Sequence, residues 1–141
     1  MSRSLSPLKS AIVAGPPLAD EPGIGALTLG GWLREVTAQW HAAEALVFYE
    51  GGLANGQRIA WTYDELWDRA NEVARALLAC GVGKGSRVGV LMTNRPEFLS
   101  AVFGIALAGG VAATFSTFST PAELDHLLEA SAVSMLLVER Q

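Results

Sequence analysis

Hydroxyl, amide and guanidinium groups follow three predicted strands of this 141-residue chain. They lie in Thr93–Arg95, Ser116–Thr120 and Arg140–Gln141. In a sheet of parallel strands, ligands bind beyond the carboxyl ends of the strands, so we expect these residues to share one edge. Such groups can line a pocket, but they do not supply the acid and base that proton transfer needs. The pattern therefore predicts a binding edge without catalytic residues.

The two histidines and the single cysteine are the other candidates for chemistry. His126 falls beside Asp125 and Glu129 on the polar face of a predicted helix, and His41 ends another helix, so both are interpreted as solvated. Cys80 is expected to be a small apolar residue packed at a helix end. One cysteine cannot form an intramolecular disulfide, which favours a reducing cytoplasm. The sequence shows no metal-ligand spacing and no Ser/His/Asp order.

The glycine-rich stretch Gly81–Arg87 has the composition of a phosphate-binding loop but not its context. Such a loop follows a strand, opens a helix, and places Ser or Thr after Gly-Lys. Here a helix ends and a strand begins, and Lys84 is followed by Gly85. We therefore predict a turn with a solvated lysine.

Composition excludes several classes of protein. Half of the residues are hydrophobic and 17% are charged, which is typical of a globular chain. The net charge of −4, with ten scattered basic residues, argues against nucleic-acid binding. Residues 98–122 carry no charge, and this uncharged run is long enough to suggest a membrane span. Three glycines in this run, and five Ser or Thr residues between Thr114 and Thr120, favour a buried helix and strand instead.

Residues 1–27 are interpreted as a flexible leader and residues 28–141 as one folded unit. The apolar run Ala11–Gly15 is too short for a secretory signal. Hydrophobic periodicity within 28–141 predicts an α/β fold in three layers, with a mostly parallel sheet of about three strands and an N-terminal β-hairpin. The predicted helices are Thr28–His41, Thr62–Cys80, Glu97–Ala108 and Thr120–Ser131; the predicted strands are Ala45–Tyr49, Gln57–Trp61, Arg87–Met92, Val111–Phe115 and Val133–Glu139.

Two helices have clear start signals, since Thr62 with Glu65 and Thr120 with Glu123 each form a capping box. The last predicted strand is expected to be buried, yet to leave an open apolar edge through which the chain would self-associate. The residues expected to face the core are Leu66, Trp67, Ala70, Val73, Ala74, Leu77 and Leu78 of the second helix, and Leu124, Leu127 and Leu128 of the fourth.

Six short motifs occur in a fixed order along the chain. They are Thr62–Leu66, Gly81–Val88, Asn94–Phe98, Ala108–Ala112, Glu123–Leu124 and the strand ending at Glu139. In this order the chain resembles the N-terminal region of the adenylate-forming enzymes, and within them most closely the acyl-CoA synthetases, also called fatty-acid CoA ligases. The resemblance covers about Thr28 to Gln141.

This resemblance implies an enzyme that activates a carboxylic acid with ATP and Mg²⁺ as an acyl-adenylate, then transfers the acyl group to coenzyme A. The family's phosphate loop and catalytic lysine have no matching positions here. The resemblance thus implies the first part of the large N-terminal domain, inactive alone and without bound cofactor. Ser116, Thr117 and Thr120 are pocket-edge candidates only.

Several alternatives stay open at the level of sequence. The acid is unspecified, and the acceptor could be coenzyme A or a carrier protein. A different class of function is a non-catalytic binding or regulatory module built on a truncated adenylating-enzyme fold.

Overall fold

The computed structural model describes residues 28–139, so the leader predicted for 1–27 lies outside the described residues. Nine elements follow one another within this part of the chain. They are α1 (Leu29–Trp40), β1 (Glu44–Glu50), β2 (Gln57–Thr62), α2 (Tyr63–Ala79), β3 (Arg87–Leu91), α3 (Pro96–Leu107), β4 (Val111–Phe115), α4 (Pro121–Ser131) and β5 (Met135–Val138).

The strands form two sheets. β1 and β2 pair antiparallel as a hairpin, and the other three form a parallel sheet in the order β4-β3-β5. In the parallel sheet, Val88 of β3 lies opposite Ala112 on one side and Met135 on the other. The predicted α/β class, hairpin and three-stranded parallel sheet are therefore confirmed.

The crossovers place helices on both faces of the parallel sheet. The chain passes from β3 to β4 through α3 and returns across the sheet to β5 through α4. Because parallel crossovers are right-handed, two crossovers that run in opposite directions put α3 and α4 on opposite faces. This accounts for the three layers.

The main core lies between β3 and the pair of helices α2 and α3. Val88 and Val90 of β3 and Ile105 of α3 are fully buried, and Ala74 and Leu77 of α2 complete their surroundings. α3 lies close to α2 at Gly104, where an added Cβ would come within 2.6 Å of the Val73 side chain and 2.9 Å of the Ala70 carbonyl oxygen. The glycine therefore sets the separation of the two helices.

A second core lies under the hairpin. Leu33 of α1, Trp61 of β2 and Leu66 of α2 pack together with Ala70 and Phe103. Trp67 packs against this cluster, as expected of a core residue. On its other side Trp61 meets Arg69, whose guanidinium carbon lies 4.3 Å from the ring centroid.

Four expectations about burial are wrong. Leu78 is half exposed and Cys80 is exposed, since both come after Leu77, the last buried residue of α2. α4 has no buried residue, and Leu127 is exposed, because α4 packs mainly on the edge strand β4. The last strand is shorter than predicted and only partly buried, since it pairs on one side only.

The uncharged run 98–122 resolves into most of α3, all of β4 and the loop that follows. Among residues 28–139, no helix is long and apolar enough to cross a membrane.

Replacing Gly104 by alanine tests the close approach of α2 and α3. The new methyl group meets backbone as well as side chain, and overpacking of this kind costs about 1–3 kcal/mol, against a gain of about 1 kcal/mol in helix propensity. We expect Gly104→Ala to lower the free energy of unfolding by about 1 kcal/mol, measured by urea denaturation. The matched control is Gly83→Ala, where no atom lies within 4 Å of the added carbon. Equal effects of the two substitutions would contradict the packing argument.

Candidate functional site

The carboxyl ends of the parallel strands open into two cavities that share a wall. One, of about 390 Å³, lies between the loop after β3 and the loop after β4. The other, of about 440 Å³, lies between the loops after β4 and β5. Thr93, Ser116 and Thr117 line both cavities. The edge where binding is predicted is therefore concave, and two of the three pocket-edge candidates, Ser116 and Thr117, line it; their role in binding stays a prediction.

Ser116 shapes the loop after β4. Its hydroxyl oxygen accepts a hydrogen bond from the Phe118 N–H at 3.2 Å, and its carbonyl oxygen accepts one from the Ser119 N–H at 3.2 Å. These bonds form a tight turn that leaves the Phe118 side chain 96% exposed. A third cavity, of about 410 Å³, lies behind this turn and is lined by Ser116, Phe118, Ser119, Glu123, His126 and Leu127.

Thr120, the third candidate, is occupied by the start of α4. Its hydroxyl accepts a hydrogen bond from the Glu123 N–H at 3.4 Å and donates one to the Glu123 carboxylate at 2.9 Å. The Thr120 N–H donates to the same carboxylate at 2.8 Å, and these bonds hold the pKa of Glu123 below its ordinary value. The threonine is a capping residue here, and its role in ligand binding stays a prediction.

A hydrogen-bonded pair that sequence reasoning missed joins the ends of β3 and β5. The Glu139 carboxylate accepts from the Thr93 hydroxyl at 2.7 Å and from the Thr93 N–H at 3.1 Å. Both hydrogen bonds hold the pKa of Glu139 below its ordinary value, and the bond from the hydroxyl has the larger effect. The sequence does show Glu139 as a charged residue at the end of an apolar strand. The residues around Glu139 do not indicate that its partner is Thr93, 46 residues earlier in the chain.

The guanidinium at this edge is already paired with carboxylates. Arg95 Nε donates to Glu97 at 2.8 Å, and its Nη1 lies 3.9 Å from Glu139. The Glu97 hydrogen bond raises the pKa of Arg95 and lowers that of Glu97. An anionic ligand would therefore compete with two acidic side chains for Arg95.

The other candidates lie apart from this pair. His41 is at the end of α1, where its Nδ1 lies 3.3 Å from an Asp64 carboxylate oxygen, and both side chains are exposed. His126 is exposed on α4, at the third cavity. Arg140 and Gln141 lie outside the described residues.

The edge as a whole offers groups that can bind a ligand. Its hydroxyls and the Asn94 amide can hydrogen-bond to a ligand, while Phe98 and Phe115 supply apolar walls. Within residues 28–139, no three His, Cys, Asp or Glu side chains are grouped to hold a metal ion.

Comparison with known proteins places the chain in a family. Residues 33–141 match the family of AMP-binding enzymes, and the chain belongs to it. Its relatives include the acyl-CoA ligase sidI of Aspergillus fumigatus, 35% identical over 123 residues, which cover 87% of this chain and 19% of that protein. Surfactin synthase subunit 1 of Bacillus subtilis is 36% identical over 105 residues, which cover 74% of this chain and 3% of the subunit.

Among solved structures, the fold matches a fatty acyl CoA synthetase of Mycobacterium tuberculosis. The TM-score is 0.70 at 28% identity, over 79% of this chain and 21% of that one. The chain therefore spans about a fifth of the length of the acyl-CoA ligase and of the synthetase that it matches.

Thr93→Val tests the pair that joins β3 and β5. It removes the hydroxyl hydrogen bond to Glu139, so the pKa of Glu139 should rise toward the ordinary glutamate value of about 4.3, as measured by carboxyl-carbon NMR titration. Folding lowers the pKa of Glu139, so the pair stabilises the folded protein at pH values above the ordinary glutamate pKa. This stabilisation is lost as the pH falls through the pKa of the folded state.

The matched control is Thr120→Val, which removes the corresponding hydroxyl from Glu123. It should raise the pKa of Glu123 and leave that of Glu139 unchanged. A Glu139 pKa that is the same with and without the Thr93 hydroxyl would refute the assignment.

Proposed function

We propose that this chain is the N-terminal part of an ATP-dependent acyl-CoA synthetase. The reaction converts a carboxylic acid, ATP and coenzyme A to acyl-CoA, AMP and pyrophosphate through an acyl-adenylate, with Mg²⁺ accompanying the nucleotide. The observation that carries the proposal is the family match over residues 33–141 together with an acyl-CoA ligase relative. Coenzyme A is proposed as the acceptor because the relative whose match covers 87% of this chain is an acyl-CoA ligase.

In this proposal the described residues form a scaffold and do not carry the reaction. They hold hydroxyls at the sheet edge, one of them bonded to the Glu139 carboxylate, and an arginine paired with two carboxylates. Ser116 and Thr117 line the cavity wall, at the edge where the rest of the enzyme would add its groups. We place the enzyme in the cytoplasm, where the exposed thiol of Cys80 would stay reduced.

The 141-residue chain alone is expected to show no acid-dependent exchange of pyrophosphate into ATP. The same chain joined to the remaining domains of an acyl-CoA ligase relative should exchange pyrophosphate with a fatty acid and release AMP when coenzyme A is added. Radiolabelled pyrophosphate with a panel of acids of different chain length is the measurement. Exchange by the isolated chain would contradict the assignment of the scaffold role.

A non-catalytic binding module is the second candidate, and the cavities at the sheet edge are the observation in its favour. A module of this kind would bind a small ligand without turnover. Saturable binding of ATP or a fatty acid to the isolated chain by calorimetry, and no gain of exchange in the joined protein, would support it over the synthetase.

We also propose that the isolated chain self-associates through β5. This strand pairs with β3 on one side only, and Val138 at its end is 58% exposed. An unpaired apolar strand edge is a template for a second strand. A second copy of β5 can supply that strand.

Light scattering tests this association. We expect a dimer or larger species for the chain as it stands, and a shift toward monomer for Val138→Lys, because a charged side chain on an edge strand opposes pairing. Leu53→Lys is the matched control, since Leu53 is 85% exposed in the hairpin loop and far from β5 in sequence. A monomeric parent chain would refute the proposal.

A further inference from the structure

A further cavity lies between β1 and the start of α3, and the function proposed above assigns no role to it. Its volume is about 310 Å³. Most of its wall is apolar and comes from Leu46, Val47 and Phe48 of β1 and from Pro96, Phe98 and Leu99 of α3. We call it the β1–α3 cavity. It shares Asn94 and Phe98 with the cavity between the loops after β3 and β4, so these two residues form the wall between the two spaces.

Both sides of the β1–α3 cavity are held by the cores of the fold. Leu46 packs against the core under the hairpin, and Phe98 packs against the main core. Pro96 is buried at the first position of α3. The cavity therefore exists before any ligand binds, and a preformed site avoids the cost of ordering its walls. Val47 and Leu99 are still 44% and 36% exposed, so a ligand would also remove apolar surface from water.

The volume of the cavity limits the size of its occupant. Pockets that bind small molecules measure about 300–1,000 Å³, so this cavity is at the lower end of that range. An apolar cavity of about 150 Å³ holds one benzene molecule. The β1–α3 cavity is about twice as large, which corresponds to roughly ten to twelve non-hydrogen atoms.

One uncharged polar side chain lines this apolar space. Asn94 is exposed in the loop after β3, and its side-chain amide has no hydrogen-bond partner among residues 28–139. The amide offers both a donor and an acceptor. It therefore suits a ligand that carries an amide or a hydroxyl group at one end.

The charged groups near the cavity favour an uncharged ligand. Arg95 lines the cavity, but its Nε donates to Glu97 at 2.8 Å and its Nη1 lies 3.9 Å from Glu139. The pKa of Arg95 is raised by Glu97 first, and then by Glu139 and Glu50. An anionic ligand would meet the field of these three carboxylates, and a cationic ligand would meet Arg95 itself. Either charge would also lose water among apolar walls.

We propose that the β1–α3 cavity binds an uncharged amphiphile, with an alkyl or aryl body of about eight carbon atoms between β1 and α3 and an amide or hydroxyl group hydrogen-bonded to Asn94. The proposal goes beyond the synthetase reaction, because the carboxylic acid, ATP and coenzyme A are all anions at neutral pH. The cavity is therefore a second site, for a different class of ligand. Its test does not depend on pyrophosphate exchange.

NMR of the full 141-residue chain with isotope-labelled methyl groups tests the site. The probes are octanamide, octanoate and octylammonium, which share one alkyl length and differ in charge. Octanamide should shift the methyl signals of Leu46, Val47 and Leu99 saturably. It should bind at least about tenfold more tightly than either charged probe, because each of those would bury an unpaired charge. Replacement of each of the three residues by isoleucine assigns the signals.

Two substitutions test the walls of the cavity. Val47→Glu places a charge in the lining and should weaken octanamide binding by about tenfold or more. Leu53→Glu is the matched control, since Leu53 is 85% exposed in the hairpin loop and does not line the cavity, and it should leave binding unchanged. Asn94→Leu removes the amide and should weaken octanamide binding by about two- to tenfold. The spectrum of each variant without ligand shows whether the fold is intact.

Three outcomes would overturn the proposal. The first is that octanamide causes no saturable shift of the Leu46, Val47 and Leu99 signals. The second is that all three probes bind with the same affinity, because the charge argument then fails. The third is that octanamide shifts only the Leu124 and Val138 signals, which belong to the cavity between the loops after β4 and β5.

Discussion

The packing of α2 against α3 over the central strand is the contact on which the rest of the structure depends. Gly104 lets the two helices approach, and the side chains of Val88 and Val90 fill the space beneath them. α3 in turn connects the two edges of the sheet, because its N-cap residue Arg95 lies beyond the carboxyl end of β3, and Gly109 and Gly110 lead from its end to the start of β4. Since interiors are packed to near-crystalline density, a shift at this contact would move every loop that follows.

Local signals in the sequence were sufficient for most of the fold. Thr62 and Thr120 form the capping boxes that their spacing predicts, and the strands of the hairpin and of the parallel sheet lie within one or two residues of their expected bounds. These features depend on neighbours within four residues or on alternation along one strand. To predict the strand order β4-β3-β5, one must know in which direction each crossover runs, and hydrophobic periodicity does not indicate that direction.

Burial and the site were harder to predict, because both depend on what lies opposite. Hydrophobic periodicity places Leu78 and Leu127 on the apolar faces of α2 and α4. Both side chains are nevertheless exposed, because no other element of the described fold covers them. Thr120 forms the predicted cap, which occupies its hydroxyl, and its role at the pocket edge stays a prediction. The pairing of Thr93 with Glu139 depends on strand register. Family membership was inferred from the order of the motifs and is confirmed by the family match over residues 33–141.

The central position of β3 has a consequence for the order in which the chain folds. β3, α3 and β4 are contiguous, whereas β5 reaches β3 only after α4 has crossed the sheet. Loop-closure entropy rises with the length of chain between partners, so β3 and β4 pair at lower entropic cost than β3 and β5. On a ribosome, the α2–β3–α3–β4 segment emerges before β5 and can begin to bury Val88 and Val90 while β5 is still being synthesised. Of the three parallel strands described, β5 is therefore the last to join.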